Sequence, residues 1–591
     1  MAGERESKIK KEIHGGKEVD VVYLRGMPGL TAEEMLERRA RGQNVHRFRF
    51  CPKLDPRTFE PEPGVTCHRD MSMQLRDGVT IYFDLYLPTR EDEAQIPVPL
   101  IISWSMFGKR MSEGPQPFKI LGVPDDAVSK MCKFESPDPG YWCRNGYAVA
   151  NVDVRGCGNS EGDCSMFGEN DAPDGYDFVE WCASQPWCTG KVGFFGNSGA
   201  AMPVWHIASL QPPHLSCIAP WEGTSDMYRE SICVGGIPSG SFDRMIADGI
   251  GCSMWIEDLN ANLKLHPFID AYWENKAVDF SKITCPVYVT AGWCHFHLRG
   301  SLEGFRRLPG PKTWLRIHRE FEWRDAYDPE NLEDLKRFFD RYLKDMRNGW
   351  EYTPRVRMDV MDAYDFDLRS RRAEKTFPLE RTEYRRLYLD AESRAAEYEP
   401  FPAERETSYD SAAPGAALCF DHVFREDTEV SGYMKLRLWV ECRGHDDMDL
   451  FVWIKKLGQD GAYVPITCMD QPFRGAWGYM RVSARELDEK RSTDFQPVQA
   501  HKRALKLSPG EIVPVDVEIW PHSRFWHAGE TLRVEIAPEF AVTEWHEDPR
   551  MGFATNNNGA AHVFHTGGRY ESYLQIPVTP PKYALSGYEL R

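Results

Sequence analysis

Lys191–Ala201, KVGFFGNSGAA, decides how the rest of the chain is read. A short apolar run (Val192, Phe194, Phe195) leads into Gly196-Asn197-Ser198-Gly199, then into small residues and the helix-like PVWHIASL. A serine placed where a buried strand turns sharply into a helix is a nucleophile elbow. The turn forces the serine into a strained backbone conformation, so its neighbours must be small enough for strand and helix to approach. Gly196 and Gly199 meet that demand, and Ala200 stands where the usual pattern has its last glycine. The helix that follows aims backbone N–H groups at the place where an oxyanion would develop.

Working outward from the elbow, strands and helices alternate. MSMQLRDGVTIYFDLYLP, from Met71, reads as a hairpin turning at Arg76-Asp77-Gly78. Buried strands follow at Val98–Ser105 (VPLIISWS) and Tyr147–Val154 (YAVANVDV), and the helix DGYDFVEWCASQ precedes the elbow strand. Continuous apolar strands alternating with helices predict a parallel sheet covered on both faces. The site of such a sheet lies at the carboxyl ends of its strands, where Ser198 falls. Strands resume at Cys285–Ala291 and Lys312–Ile317, and an amphipathic helix at Glu330–Lys344 closes the region.

The predicted organisation is an N-terminal arm over 1–65, a first part of an α/β core over 66–221, a helical cap over 222–283, the second part of the core over 284–352, and a β domain over 353–591. The arm begins with a charged, mobile start, has a short helix at Thr31–Arg41 with a capping box at Thr31 and Glu34, and continues as an extended connector through Pro52, Pro56, Pro61 and Pro63. Beyond Thr353, charged linkers (DLRSRRAEKT, AESRAAEYEPFPAERE) separate strands of period two such as MKLRLWVE, DLFVWIKK and TLRVEIAP. Strands without intervening helices predict a sandwich or jelly roll.

With 591 residues the chain exceeds a single core, and its 18 Trp, 24 Tyr and 31 Phe mark a well-buried globular protein. The formal charge of −18 argues against a nucleic-acid partner. The 16 cysteines form no CxxC pair and no zinc-like spacing, so a reduced, cytoplasmic protein is the simpler inference. The polar start MAGERESKIKKEIHGG holds no apolar signal segment, and no membrane span is expected. A small-molecule substrate is the expected partner, and a homo-oligomer is compatible with the sequence.

Four stretches together give the chain a family resemblance. They are MQLRDGVTIYFDLYLP, the Asp153–Gly162 run DVRGCGNSEG, EWCASQPWCTGKVGFFGNSG, and PGEIVPVDVEIWPHSRFWHAGETLRVEI. In these the chain resembles the family of cocaine esterase, α-amino acid ester hydrolases and X-Pro dipeptidyl-peptidases, over about residues 70–580. The resemblance implies an α/β-hydrolase domain with a helical cap, and a C-terminal jelly roll (galactose-binding-like) that closes one side of the pocket. It also implies Ser198 as nucleophile and the Gly199 N–H as one oxyanion donor.

The remaining positions depart from the family pattern. The family's second donor is a tyrosine hydroxyl, but the matching run Met106-Phe107-Gly108-Lys109 offers Phe107, which has none. The family's acid position falls on His295 in Gly292-Trp293-Cys294-His295, and its histidine position on Glu322 in His318-Arg319-Glu320-Phe321-Glu322-Trp323. Acid and base are exchanged, and a Ser198–His295–Glu322 arrangement is the leading expectation, with His297 and His318 competing as base. Each histidine also has a plain reading as a hydrogen-bonded residue in a polar wall. His295 and His297 without a third ligand make a weak metal signal, and no cofactor is expected. Asp153 and Arg155 read as a buried pair bracing their loop, and Trp221 and Trp293 as aromatic residues at the pocket.

Two enzymatic readings remain, and one without catalysis. One is a serine hydrolase acting on an ester or amide of a partly apolar small molecule. Another is a hydrolase fold turned to a non-hydrolytic step, such as cyclisation, condensation or elimination on an intermediate of secondary metabolism. The third is a binding protein that kept the fold.

Overall fold

Strands β1 (Ser7–His14) and β2 (Lys17–Arg25) open the chain as an antiparallel hairpin, followed by helix α1 (Ala32–Ala40). Thr31 caps α1 with the reciprocal Thr31–Glu34 bonds read from the sequence. The computed structural model describes residues 5–89, 96–113, 122–124, 126–252, 254–468, 471–473, 475–540, 553–556 and 559–581. Among these, no helix is long and apolar enough to cross a membrane.

The core sheet is built from β3 (Arg57–Glu62), β4 (Val65–Gln74), β5 (Thr80–Pro88), β6 (Val98–Ser105), β7 (Ala148–Asp153), β8 (Cys188–Asn197) and β9 (Leu215–Trp221). Helix α2 (Pro139–Arg144) precedes β7, α3 (Ala172–Ala183) connects β7 to β8, and α4 (Met202–Ser209) connects β8 to β9. An insertion carrying β10 (Trp255–Glu257) comes before β11 (Val287–Gly292), and β12 (Thr313–His318) follows. The sheet runs β3-β4-β5-β7-β6-β8-β9-β11, antiparallel as far as β7 and parallel from β7 to β11. β6 and β7 are buried at every residue, as strands covered on both faces must be. The hairpin between β4 and β5 pairs Gln74 with Thr80 around Gly78, whose φ of 90° is open to glycine.

Two expectations for the N-terminal arm change. From Ser7 onward the arm is not a loose start: β2 pairs with both β1 and β10, making a three-stranded sheet with the insertion. Gly15 and Gly16 turn the hairpin with φ of 54° and 79°, the conformation a tight two-residue turn demands. Val19, Val21 and Tyr23 face inward, and Lys8 lies 4.1 Å over the Trp255 ring. Within the proline-rich connector, Arg57–Glu62 forms β3 against β4. The charged residues of β1 and β3 hide a period-two pattern from a reading based on hydropathy.

The chain divides into two compact units. The first is Met1–Ile232, Gly240–Leu315 and Phe321–Thr353, and it holds the sheet above. The second is Cys233–Ser239, Arg316–Glu320 and Pro354–Arg591. In it, β13 (Val356–Ala363) pairs antiparallel with β14 (Phe366–Glu374). The run DLRSRRAEKT, read as linker, lies largely in β14, where Arg372 bonds Glu429 at 2.7 Å. Strand Thr428–Arg443 pairs with Val513–Trp526, Ala561–Thr566 and Tyr573–Val578. A further sheet is formed by Leu418–Val423, Thr531–Ala537, Asp449–Leu457 and Ala476–Arg481. Leu436, Leu438, Val452, Val517, Val534 and Ile576 meet in one buried core, the interior of a β-sandwich.

Candidate active site

β8 ends at Asn197, and Ser198 takes φ of 52°, the left-handed region that L-residues avoid. The space around it explains the glycines. A Cβ on Gly196 would stand 2.2 Å from the Ala200 carbonyl oxygen, and one on Gly199 would stand 2.7 Å from the Phe107 ring. Ser198 is 8% exposed, so the hydroxyl sits in a nearly closed site.

His297 meets this serine. Its Nε2 lies 3.0 Å from Ser198 Oγ and its Nδ1 lies 2.6 Å from Thr224 Oγ1. With its proton on Nδ1, donated to Thr224, the ring leaves the Nε2 lone pair to accept the serine hydroxyl. Burial, and then the neighbouring His295, hold His297 well below the ordinary histidine range. His297 stands at the residue before the helix Leu298–Arg307, beyond the carboxyl end of β11, and Thr224 lies three residues past the end of β9.

His295 lies behind, its ring 4.9 Å from that of His297. Its Nδ1 accepts the His297 backbone N–H at 3.2 Å and lies 3.3 Å from Glu222, while its Nε2 lies 3.1 Å from Glu322. All three side chains are 2% exposed or less. His295 and Glu322 are thus in contact, as the aligned sequence positions suggested, but the histidine that meets the serine hydroxyl is His297. Ligand atoms of His295, His297 and Glu322 lie within 4.8 Å of one another, a spacing that can hold an ion. An ion there would take a His297 nitrogen from Ser198 or Thr224.

The loop after β6 presents Phe107. Ser105 Oγ accepts the Phe107 N–H at 3.1 Å, and Asp153 at the end of β7 accepts Lys109 Nζ and the Lys109 N–H, each at 2.6 Å. Asp153 also accepts the Asn159 N–H, and a Cβ on Gly158 would meet its carboxylate at 2.4 Å. The Asp153–Gly162 motif therefore grips the loop through Lys109. The expected Asp153–Arg155 pair gives way to another arrangement: Arg155 bonds Asp174 at 2.7 Å and Asp77 at 2.8 Å.

Trp221, Trp293 and His318 were also singled out in the sequence. Trp221 is a core residue, packed edge-on against Phe195 and Tyr288 with centroids 5.2 and 5.5 Å away. Trp293 is fully buried. His318 belongs to the second unit, its Nδ1 3.0 Å from the Glu320 carbonyl oxygen. Beside Gly199 a cavity of about 30 Å³ is lined by Trp104, Met106, Arg155, Phe167, Asp171 and Pro203. Burial pushes Asp171 up to about 6.

Two residues at the site carried no signal strong enough to be singled out. Thr224 stands just past a parallel strand, where the switch-point rule directs attention, but a threonine alone marks nothing. Glu135, buried beside the elbow, belongs to no motif; its carbonyl accepts the Asn197 N–H at 3.2 Å.

A strained serine at a strand-to-helix turn, a histidine on its hydroxyl and a parallel sheet beneath define an α/β-hydrolase. Residues 77–246 match the model of the X-Pro dipeptidyl-peptidase (S15 family), and residues 348–575 match that of the X-Pro dipeptidyl-peptidase C-terminal non-catalytic domain. The crystal structure of a CocE/NonD family hydrolase from Staphylococcus aureus superposes with a TM-score of 0.80 at 35% identity, over 87% of this chain and 94% of that one. The chain belongs to this family of hydrolases. Cocaine esterase from Rhodococcus sp. (strain MB1 Bresler) is 25% identical over 380 residues, which is 54% of this chain and 62% of the esterase. The match thus spans less than two thirds of that relative's length. An α-amino acid ester hydrolase shares the fold, with a TM-score of 0.62 at 15% identity over 89% of this chain and 99% of that one.

Proposed function

We propose that the protein is a serine hydrolase that cleaves an ester or amide bond of a partly apolar small molecule through Ser198. The observation that carries this reading is the 3.0 Å approach of His297 Nε2 to the hydroxyl of a serine held at φ 52°. His297 takes the Ser198 proton as Oγ attacks the acyl carbon, and the Gly199 N–H receives the developing oxyanion. The imidazolium then returns the proton to the leaving group, and water repeats the sequence on the acyl-enzyme. Thr224 holds the tautomer, the part a carboxylate plays in the usual triad. Glu222 and Glu322 flank His295, whose ring packs against that of His297.

The test is labelling with a fluorophosphonate followed by peptide mapping. Modification confined to Ser198 is the expected result. A folded protein that resists the probe would end the nucleophile reading and turn the search to non-hydrolytic chemistry. p-Nitrophenyl acetate, with its small acyl group and chromogenic leaving group, is the first substrate to use.

Two further results are expected. Thr224→Val keeps the shape of the site but leaves the buried Nδ1–H of His297 without its acceptor, at a cost of roughly 1–3 kcal/mol. The kcat for p-nitrophenyl acetate should then fall about 10- to 100-fold with little change in KM; an unchanged kcat would remove Thr224 from the mechanism. The second concerns pH. The base works in its neutral form, and a His297 pKa held well below 6.5 keeps it neutral into acid. The acid limb of kcat/KM should therefore lie well below pH 6.5, and a limb at the ordinary histidine value in the pH–rate profile would contradict the role.

A further inference from the structure

Glu135 is a buried acid for which the mechanism above has no use. It is 2% exposed and held at φ 58°, a strained conformation, with its carbonyl oxygen tied to the Asn197 N–H of the elbow. Its Oε1 accepts Trp323 Nε1 at 3.1 Å, its Oε2 is buried, and the Ser198 hydroxyl is among the groups that act on the carboxyl. That second oxygen borders Gly199: a Cβ on Gly199 would lie 3.6 Å from Glu135 Oε2 and 2.7 Å from Cε2 and Cζ of Phe107. Phe107 Cζ is the ring atom on which a tyrosine would carry its hydroxyl, so the carboxyl oxygen and the missing hydroxyl converge on one residue.

The surroundings favour the neutral form. The Phe134 ring stands 5.2 Å from Phe107 and 5.4 Å from Trp323, and Phe48 packs 4.5 Å from Phe107, so the residues beside Glu135 form one aromatic cluster. Burial, and then the negative charge of Glu322, raise Glu135 well above the ordinary carboxylate range; the Trp323 indole, His295 and the Ser198 hydroxyl offset only part of the rise. A carboxylate at this spot would repel an oxyanion. A neutral carboxylic acid has an O–H to donate, and apolar sites elsewhere hold acids neutral for that purpose.

We propose that Glu135, as the neutral acid, donates the second hydrogen bond to the oxyanion through Oε2, in the place that Phe107 leaves without a donor. This rests on Ser198 acting as the nucleophile. The proton stays on Glu135 throughout; only its hydrogen bond strengthens as charge gathers on the acyl oxygen.

The test compares wild type with Glu135→Ala, Glu135→Gln, the double variant Phe107→Tyr/Glu135→Ala and Ser198→Ala, on p-nitrophenyl acetate across pH. Loss of one oxyanion donor costs about 10²–10³ in kcat, so Glu135→Ala should fall by that factor with KM within about threefold. Glutamine keeps a neutral donor, so Glu135→Gln should lose less than about tenfold. Wild type should show an alkaline limb as the acid ionises, and Glu135→Gln should lack it. The hydroxyl that Phe107→Tyr adds in the double variant is expected to restore at least about tenfold over Glu135→Ala. The proposal is overturned if Glu135→Ala keeps the wild-type kcat, or if Glu135→Gln is as impaired as Glu135→Ala and retains the alkaline limb. It is equally overturned if the variants raise only KM, and only for substrates bearing an amine, which would make Glu135 a counter-charge. Should Glu135→Ala fail to fold, the isosteric Glu135→Gln and its pH profile decide. Turnover that survives in Ser198→Ala would overturn the underlying hydrolase reading; a dead Ser198→Ala beside a fully active Glu135→Ala would overturn the Glu135 role alone.

Discussion

Ser198→Ala is expected to lower kcat about 10⁶-fold, the scale seen when a hydrolase of this type loses its nucleophile. The other hydroxyl described on this imidazole cannot replace it: the Thr224 hydroxyl is on Nδ1, the far side of the ring. The fold should persist, because alanine fills the small space at the elbow as serine does and suffers the same strain at φ 52°. Parallel melting curves, steady-state kinetics on p-nitrophenyl acetate and loss of fluorophosphonate labelling check the result together. Retention of even a hundredth of the activity would exclude an acyl-serine intermediate.

His297→Ala carries the second large effect, and its comparison with His295→Ala separates two roles. His297 has its Nε2 on the serine hydroxyl at 3.0 Å, so its removal should cost nearly as much as removal of Ser198. The double variant Ser198→Ala/His297→Ala should be no worse than either single one, because the two act as a unit. His295 acts through its neighbour. Its loss frees the His297 backbone N–H and opens a gap between Glu222 and Glu322, and a fall of about 10- to 100-fold in kcat is expected. Reversal of that order, with His295→Ala the more damaged, would restore the exchanged arrangement read from the sequence.

The elbow was legible because its demands are local. A strand, a strained serine and small flanking residues all fall within Lys191–Ala201, and each constrains the others. The choice between His295 and His297 was not legible. They stand two residues apart in the connection from β11 to the helix Leu298–Arg307, and the path of that connection decides which ring meets the serine. Aligned positions count residues and carry no information about such a path. Glu135 was hidden for a different reason. Its hydrogen-bond partner Trp323 is 188 residues away, and neither residue sits in a periodic pattern that would mark it. Trp221 shows the opposite error: an aromatic residue at the end of an active-site strand looked like pocket lining, but its ring turns into the core against Phe195 and Tyr288.

The pairing of the N-terminal hairpin with the insertion has a consequence for the order of assembly during synthesis. Val22 exchanges hydrogen bonds with the Asn262 side chain, at 2.8 and 3.1 Å, across 240 residues of chain. A ribosome adding about 5–20 residues per second needs on the order of tens of seconds to make that interval. The hairpin waits through all of it for its neighbour. Until Trp255–Glu257 arrives, the outer edge of β2 has unpaired backbone groups and an apolar face of Val19, Val21 and Tyr23 to shield. The lysines that disguise β1 in the sequence then act as a guard, keeping the waiting hairpin soluble by their charge.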